Sequence, residues 1–270
     1  MSALADTRPV ALVAAAHPGP AAAVTLLAAV LAVAVDMPAS RVVLVTAAVA
    51  AGQLSIGWSN DLIDLSRDRA VGRQDKPLAL GTLDPRVAAA ACAAAVVLCV
   101  VLSLMCGLPA GLLHLGCVAA GWAYNLGLKA TVWSWVPYAV AFGLLPAFVW
   151  SAADQTGSVP WWLLSAAASL GVGAHLLNVL PDIADDDATG VRGLPHRLGA
   201  RRLPGAAVAV LVLGSVLVLF GASVPLVVAV AGVVVVAALA AVVLRGHGKA
   251  PFAAAVGIAL LDAVLLVVAL

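Results

Sequence analysis

The sequence predicts an all-α integral membrane protein with nine transmembrane helices, because of its composition and its long apolar runs. Of its 270 residues, 64% are hydrophobic and only 10% are charged, and the mean hydropathy is +1.13. A soluble domain has about a quarter charged residues. Since so much apolar surface cannot be buried against protein alone, we expect the bilayer to solvate most of the chain. No polar stretch is long enough for a soluble domain, so we expect residues 1–270 to form a single membrane-embedded domain.

Nine apolar segments are long enough to cross a membrane as helices. The predicted helices are 18–36, 41–60, 86–106, 108–125, 131–151, 160–181, 204–222, 224–244 and 251–270. The longest polar stretches between them are 61–86 and 182–202.

The basic residues predict the orientation in the membrane. With nine helices, thirteen of the fourteen Lys and Arg residues fall on one side, and only Arg41 falls on the other. Cytoplasmic loops are enriched in Lys and Arg. We therefore predict a multi-pass cell-membrane protein whose functional site faces the cytoplasm, with a cytoplasmic N-terminus and with Leu270 on the far side.

The acidic residues are the most informative feature of the sequence. All thirteen are Asp, and most of them fall into two clusters. The clusters are Asp61, Asp64, Asp68, Asp75 and Asp84, and then Asp182, Asp185, Asp186 and Asp187. On a helix, spacings of three and four residues place side chains on one face. Each cluster can therefore present several carboxylates in one direction.

The two clusters belong to an internal repeat. Asn60, Asp64, Asp68 and Pro77 recur 118 residues later as Asn178, Asp182, Asp186 and Pro195, within the matched motifs 60–81 and 178–199. The second and sixth predicted helices run in the same direction, because they are four helices apart. We therefore expect the motifs to lie at one depth and to face a shared cavity, as parallel repeats place their sites.

This pattern predicts a magnesium-dependent diphosphate site. Facing carboxylates repel each other unless cations neutralise them, and Mg²⁺ prefers a few carboxylates together with water and phosphate oxygens. Breaking an allylic carbon–oxygen bond puts negative charge on the departing diphosphate, and metal ions and fixed basic groups stabilise that charge. The basic candidates for binding the diphosphate are Arg67, Arg69, Arg73, Lys76, Lys129 and Arg192.

The motifs resemble those of the UbiA superfamily of intramembrane prenyltransferases. The matching segments are Asn60-Asp61-x2-Asp64-x3-Asp68, then Tyr124-Asn125-x3-Lys129, and then Asp182-x3-Asp186 followed by Gly190, Arg192 and Pro195. The resemblance covers essentially the whole chain. It implies a helical barrel around a central cavity that opens to the bilayer, with a polar cytoplasmic cap over the site.

The resemblance also implies roles for individual residues. The implied ligands of magnesium or its waters are Asn60, Asp61, Asp64, Asp68, Asp182, Asp185 and Asp186. The implied catalytic residues are Asp64, Asp68, Asp182, Asp186 and Lys129, and Lys129 would contact the diphosphate. Tyr124, Asn125 and Asn178 join the basic candidates as substrate-binding residues. The second repeat has Asp185 and Asp187 where the first has Arg67 and Arg69, so the choice among Asp185, Asp186 and Asp187 as metal ligands stays open.

Three functions are considered. The first is magnesium-dependent transfer of a prenyl group from a prenyl diphosphate to an aromatic or other lipophilic acceptor within the membrane. The second is a terpene cyclase of the same family, in which double bonds of the cation attack after the same ionisation. The third is a secondary transporter, since transporters also combine repeats with buried acids. Membrane lipids are expected partners, whereas nucleic acid is not, because the sequence has no basic stripe or nucleic-acid motif.

Three further residues allow more than one interpretation. Trp58, beside the first motif, could stack on the substrate. His175 either lines the cavity or packs between helices. Asp262 lies within the last predicted helix without an obvious partner, and an acid in such a position either has a function or lines a water-filled pocket.

Overall fold

The structure, a computed structural model, describes residues 8–155, 157–183, 186 and 190–269. In these ranges the chain forms helices and turns without a strand, and nine of the helices have 17 residues or more. The long helices are α2 (Pro18–Ala34), α3 (Ala39–Ala70), α5 (Pro85–Met105), α6 (Leu108–Leu126), α7 (Val136–Ala152), α8 (Trp161–Val179), α10 (Leu203–Gly221), α11 (Leu226–Arg245) and α12 (Ala250–Ala269). The short helices are α1 (Arg8–Ala14), α4 (Pro77–Leu80) and α9 (Leu194–Leu198).

The all-helical fold is confirmed, and each predicted apolar segment coincides with one long helix. Five of the described helices are long and apolar enough to cross a membrane, namely α3, α5, α8 with its extension to Asp182, α10 and α11. The pair α1 and α2, bent by 65°, would supply a sixth span. The chain is therefore a multi-pass membrane protein, and the number of nine spans stays a prediction.

Two helix boundaries differ from the sequence prediction in a way that matters for the site. Helix α3 continues ten residues beyond the predicted end, to Ala70, so the first aspartate motif is helical. Helix α7 begins at Val136, because the preceding residues form a turn in which Thr131 Oγ1 donates to Leu128 O and accepts from Trp133 N.

The long helices pack mostly against their neighbours in the chain, and α12 returns to α2 and closes the bundle. Small residues at the helix contacts, such as Ala28, Ala48 and Ala152, are fully buried. Helix association in lipid depends on close packing of this kind, since lipid tails are as apolar as the side chains. Large apolar side chains such as Phe220 and Val227 are more than 80% exposed, which is where lipid contact is expected.

One end of the bundle is polar. Helices α3, α6 and α8 end there, the loop carrying α4 follows α3, and a short 3-10 turn at Leu128–Ala130 joins α6 to α7. The second 3-10 turn, Leu180–Asp182, extends α8 at the same end. These segments carry the residues of the candidate site.

Candidate active site

Three carboxylates of the first motif occupy one buried face of α3. Asp61, Asp64 and Asp68 are only 1%, 6% and 4% exposed. A buried carboxylate is costly unless it is paired, hydrogen-bonded or bound to a metal. The partners of these three aspartates therefore define the site.

Asp61 pairs with two groups from outside α3. Its Oδ1 accepts a hydrogen bond from Lys76 Nζ, and His17 Nε2 lies 2.6 Å from the same oxygen. His17 forms the turn between α1 and α2, with a left-handed backbone (φ 52°). Asp61 Oδ2 is buried and has no hydrogen-bond partner among the described residues. An unsatisfied carboxylate oxygen of this kind would be stabilised by a cation.

Asp64 connects α3 to the turn between α6 and α7. Lys129 Nζ lies 2.5 Å and 2.6 Å from its two carboxylate oxygens, and Arg67 Nη2 lies 2.7 Å from Oδ2. Burial lowers the pKa of Lys129, while the Asp64 carboxylate acts in the opposite direction. The Lys129 ammonium is thus poorly solvated and depends on nearby anions for its charged form.

Lys76 extends the same cluster towards Asp68. Its Nζ lies 4.0 Å from Asp68 Oδ2 and 3.4 Å from Asn60 Oδ1. The side chain of Lys76 is only 11% exposed. A single ammonium therefore contacts Asp61, Asp68 and Asn60.

Asn125 fixes the position of Asn60 from α6. Its Oδ1 accepts a hydrogen bond from Asn60 Nδ2 at 3.2 Å, and its Nδ2 donates to Ile56 O and Ser59 Oγ at 2.9 Å. Asn125 is 3% exposed. The structure thus places Asn125 behind Asn60, where it orients that side chain.

The second motif meets the first through Arg73. Arg73 Nη1 lies 3.0 Å from Asp182 Oδ1, and its Nε and Nη2 each lie 2.9 Å from an oxygen of Asp75. The hydrogen bond with Asp75 raises the pKa of Arg73, and the same bond lowers the pKa of Asp75 to about 2. Arg73 is therefore a permanent cation between the two motifs.

Asp186 lies on the same side of the second motif. His196 Nε2 lies 3.4 Å from Asp186 Oδ2. Burial raises the pKa of Asp186, whereas the nearby charges of Arg67, His196 and Lys129 act to lower it. The charges of Arg67 and Lys129, which contact Asp64, therefore also act on an aspartate of the second motif.

The loop after the second motif packs directly on the Lys129 turn. A Cβ atom added to Gly193 would lie 2.5 Å from Lys129 O and 2.8 Å from Ser134 Oγ, so the close approach requires glycine. Ser134 Oγ accepts a hydrogen bond from Leu194 N at 3.0 Å and lies 3.1 Å from His175 Nε2. Ser134 therefore links the loop to α8.

Three partly buried rings beside the carboxylates form an aromatic wall, which comprises Tyr124, Tyr138 and Phe142. The centroids of Tyr124 and Tyr138 are 5.2 Å apart and edge-on, and those of Tyr138 and Phe142 are 6.4 Å apart and nearly parallel. Asn178 Nδ2 lies 3.5 Å from the Tyr138 hydroxyl. His175 packs 4.7 Å from the Tyr138 ring and is fully buried.

The structure thus brings most of the predicted site residues together. Arg69 is an exception, because it is exposed and its guanidinium lies 3.5 Å from Leu78 O, away from the carboxylates. Arg192 is exposed in the loop after the second motif. Asp185 lies outside the described residues. The proposed stacking of Trp58 on substrate is not supported, because Trp58 is buried and its Nε1 donates to Leu12 O.

Sequence reasoning missed His17, Ser134 and His196. His17 stands at a Pro- and Gly-rich break directly before an apolar run, and a histidine at such a break was the available signal. Ser134 and His196 have no local signal, because their contacts depend on how the loop after α8 folds back.

The donor set of this site suits magnesium. Its potential ligands are oxygens of Asp and Asn side chains, which is the chemistry that Mg²⁺ prefers, and Asp61 Oδ2 is an unsatisfied buried oxygen. Within the described ranges, however, no three His, Cys or Asp side chains converge closely enough to hold an ion. The carboxylates instead point to Lys76, Lys129, Arg67 and Arg73, so metal binding would require these basic groups to move to another anion.

Similar structures support the fold. An apo UbiA homologue from Aeropyrum pernix K1 is 19% identical, with a TM-score of 0.73 over 97% of this chain and 98% of that one. A UbiA homologue from Archaeoglobus fulgidus, solved with GPP and Mg²⁺, is 17% identical, with a TM-score of 0.72 over 96% of this chain and 100% of that one. A structure from work on digeranylgeranylglyceryl phosphate synthase in membranes is 16% identical, with a TM-score of 0.66 over 97% and 96% of the two chains.

A search of curated proteins found no match. The sequence model of the UbiA prenyltransferase family, in contrast, matches residues 21–261, which is most of the chain. This match includes both aspartate motifs and the Lys129 turn. The chain therefore belongs to the UbiA prenyltransferase family.

Proposed function

We propose that this protein transfers a prenyl group from a prenyl diphosphate to an aromatic or other lipophilic acceptor within the membrane, with magnesium as cofactor and with the site facing the cytoplasm. Family membership supports the reaction class. The solved homologue with GPP and Mg²⁺ supports the substrate class and the cofactor for that protein, and we extend both to this chain. The thirteen-to-one distribution of basic residues supports the cytoplasmic side.

The observation that carries the proposal is the layer of cations between the two aspartate motifs. Lys129 and Arg67 contact Asp64, Lys76 contacts Asp61, and Arg73 contacts Asp182. A single carboxylate has one negative charge and two acceptor oxygens, whereas a diphosphate has more charge and more acceptor oxygens for the same cations. The same side chains can therefore bind a diphosphate, which releases carboxylate oxygens for a metal.

The residues divide into two roles under this proposal. Asp61, Asp64, Asp68, Asp182 and Asp186, with Asn60, would hold magnesium or its waters. Magnesium would supply positive charge to the departing diphosphate. Lys129, Lys76, Arg67 and Arg73 would bind the diphosphate oxygens and stabilise the negative charge that develops as the carbon–oxygen bond breaks.

The aromatic wall supports a terpene cyclase as the second candidate. The rings follow one another from Tyr124 through Tyr138, which contacts Asn178 of the second motif, to Phe142, and aromatic faces stabilise a nearby carbocation. The same faces would equally protect an allylic cation before an acceptor attacks it. A transporter is supported least, because the buried acids are already paired with cations that suit an anionic headgroup.

A product assay separates these functions. Purified protein in detergent is incubated with magnesium and a prenyl diphosphate, with and without an aromatic or alcohol acceptor, and the products are identified by mass. We expect a joined product that requires the acceptor. A cyclic hydrocarbon or terpene alcohol formed without an acceptor would establish the cyclase. Absence of diphosphate release from every prenyl diphosphate, with and without an acceptor, would refute both.

The assay has matched variants. Asp64→Asn keeps the shape of the side chain at the centre of the site and removes its charge. Asp154→Asn makes the same change at an exposed position that pairs with Arg41 instead. We expect Asp64→Asn to be inactive and Asp154→Asn to behave as wild type.

A further inference from the structure

An apolar cavity lies deeper in the bundle than the aspartates. Residues of α2, α7, α8, α10 and α12 line it, including Leu27, Leu145, Leu163, Leu170 and Val218. Only apolar atoms face this cavity. Asp262 is among the lining residues, but its carboxylate accepts a hydrogen bond from Ser215 Oγ at 2.9 Å.

Phe142 stands between the polar site and this cavity. On one side its ring stacks on Tyr138, whose hydroxyl contacts Asn178 of the second motif. On the other side it lines the cavity together with Leu145 and Pro146, which follow it on α7. The order along α7 is therefore site, Phe142, cavity.

Helix α8 gives the same order from the opposite direction. Asn178 lies at the site, Gly171 lies beside Phe142, and Leu170 and Leu163 line the cavity. A Cβ atom on Gly171 would lie only 2.6 Å from Phe142 Cγ. The ring is thus packed on the backbone of α8 and fills the space between α7 and α8 at this depth.

We propose that Phe142 is the residue that limits the length of the prenyl tail, and that the cavity behind it would accept a longer tail once the ring is removed. This inference rests on the proposed function, because it takes the tail to extend from a diphosphate held by the aspartates. The occupant is an isoprenoid chain, since the cavity offers apolar contact and shares Phe142 with the aromatic wall.

Helix geometry gives the expected lengths. Seven residues separate Asn178 from Gly171, which is about 10 Å along α8. An extended isoprene unit spans four carbon–carbon bonds of about 1.5 Å, or about 5 Å. About two units therefore span the distance from Asn178 to Phe142, so a geranyl tail suits the wild type. The cavity lies beside another ~10 Å of α8, from Leu170 to Leu163, and removing the ring would join its volume of about 30 Å³ to the space that the ring vacates.

The test compares the turnover of dimethylallyl, geranyl, farnesyl and geranylgeranyl diphosphates. In wild type we expect kcat/KM to peak at geranyl diphosphate. In Phe142→Ala the preferred tail should be longer than in wild type by at least one isoprene unit. The ratio of kcat/KM for long tails to kcat/KM for short tails should rise at least about tenfold, since one methylene group alone changes the discrimination between two substrates by that order. Phe142→Trp should shift the optimum down. Phe220→Ala is the matched control, because Phe220 is 87% exposed on the outer surface.

A binding measurement tests the length preference in variants whose turnover is too low to measure. Thermal stabilisation by prenyl thiolodiphosphates, which ionise poorly, should show the same change in length preference in Phe142→Ala and in the milder Phe142→Leu. If both variants prefer the four tail lengths in the same order and by the same ratios as wild type, Phe142 does not limit the tail length, and the proposed function stays intact. If wild type neither binds nor turns over any of the four diphosphates, the proposed function fails, and this inference fails with it.

Discussion

Arg73 Nη1 lies 3.0 Å from Asp182 Oδ1, and this ion pair connects the loop after the first aspartate motif with the first aspartate of the second. The guanidinium also binds Asp75 through two further hydrogen bonds. A planar guanidinium can hold two carboxylates in this way because its N–H groups point in fixed directions. The two motifs, 118 residues apart in the sequence, are therefore tied together by one side chain.

Replacing Arg73 should lower catalysis more than it lowers folding stability. We expect Arg73→Ala to reduce kcat about a hundredfold, the usual effect of losing one fixed donor to a developing negative charge. Arg73→Lys should recover only part of this loss, because an ammonium cannot reproduce the forked geometry. Steady-state kinetics with a prenyl diphosphate measures the effect. Arg41→Ala is the control, since Arg41 pairs with Asp154 away from the motifs, and an equal loss in that variant would contradict the prediction.

Asp64 and Asp182 should each be necessary for turnover. We expect Asp64→Asn and Asp182→Asn to lower kcat by more than about a hundredfold, which corresponds to ~2.7 kcal/mol of barrier. The asparagine side chain retains the shape and can still accept hydrogen bonds, but in Asp64→Asn the buried Lys129 loses its anionic partner, so thermal unfolding in detergent must show that the variant is folded at the assay temperature. Removal of magnesium with a chelator should abolish wild-type activity as well. A variant with more than about a tenth of wild-type turnover, ~1.4 kcal/mol, would exclude that residue from the metal site.

The sequence predicted the helices well because apolar length and helix-breaking residues are local properties. Through the resemblance it also predicted that Lys129 contacts the diphosphate, which stays a prediction, and the structure places Lys129 Nζ on Asp64. It did not separate Arg67 from Arg69. Both arginines were named for their position near the aspartates, and neither was assigned to a helix face. Helix α3 continues to Ala70, so Arg67, three residues after Asp64, shares its face, and Arg69 does not.

The contacts of His17 and Phe142 could not be derived from the sequence, because they are tertiary contacts. His17 reaches Asp61, which is 44 residues away, through a left-handed turn between two helices bent by 65°. Phe142 gains its position from Gly171 on another helix. A single apolar residue in an apolar helix carries no local signal of such a contact.

Asp75 gives a prediction for acidic pH. Its hydrogen bond with Arg73 lowers its pKa to about 2, below the ordinary value of 3.8. An acid with a lowered pKa in the folded state stabilises that state above its unfolded pKa, and the contribution disappears as the pH falls through the folded value. The difference in thermal midpoint between wild type and Asp75→Asn should therefore shrink from about pH 4 towards about pH 2. Because Asp75 is 65% exposed, the effect should stay below about 1 kcal/mol. A difference that grows in acid would contradict this sign.

The predicted topology can be tested with reporter fusions. Fusions after residues 86, 154 and 202 should report the cytoplasm, the opposite side and the cytoplasm, because thirteen of the fourteen basic residues lie on one side of a nine-helix arrangement. Accessibility of an introduced cysteine at the same three positions provides an independent readout. A cytoplasmic signal after residue 154 would require a different number of spans.

Asp262 should act as a structural contact between helices. Sequence reasoning found no partner for this acid, but the structure places its Oδ2 2.9 Å from Ser215 Oγ, so the side chains join α12 to α10. An amide oxygen can accept the same hydrogen bond, and hydrogen bonds between membrane helices contribute about 0.6 kcal/mol on average. We therefore expect Asp262→Asn to keep wild-type kcat within about twofold and Ser215→Ala to be destabilised by about 1 kcal/mol or less. Thermal unfolding and turnover in the same detergent measure both effects. If Asp262→Asn folded normally but lost its activity, the carboxylate would have a role in the chemistry that the hydrogen bond to Ser215 does not explain.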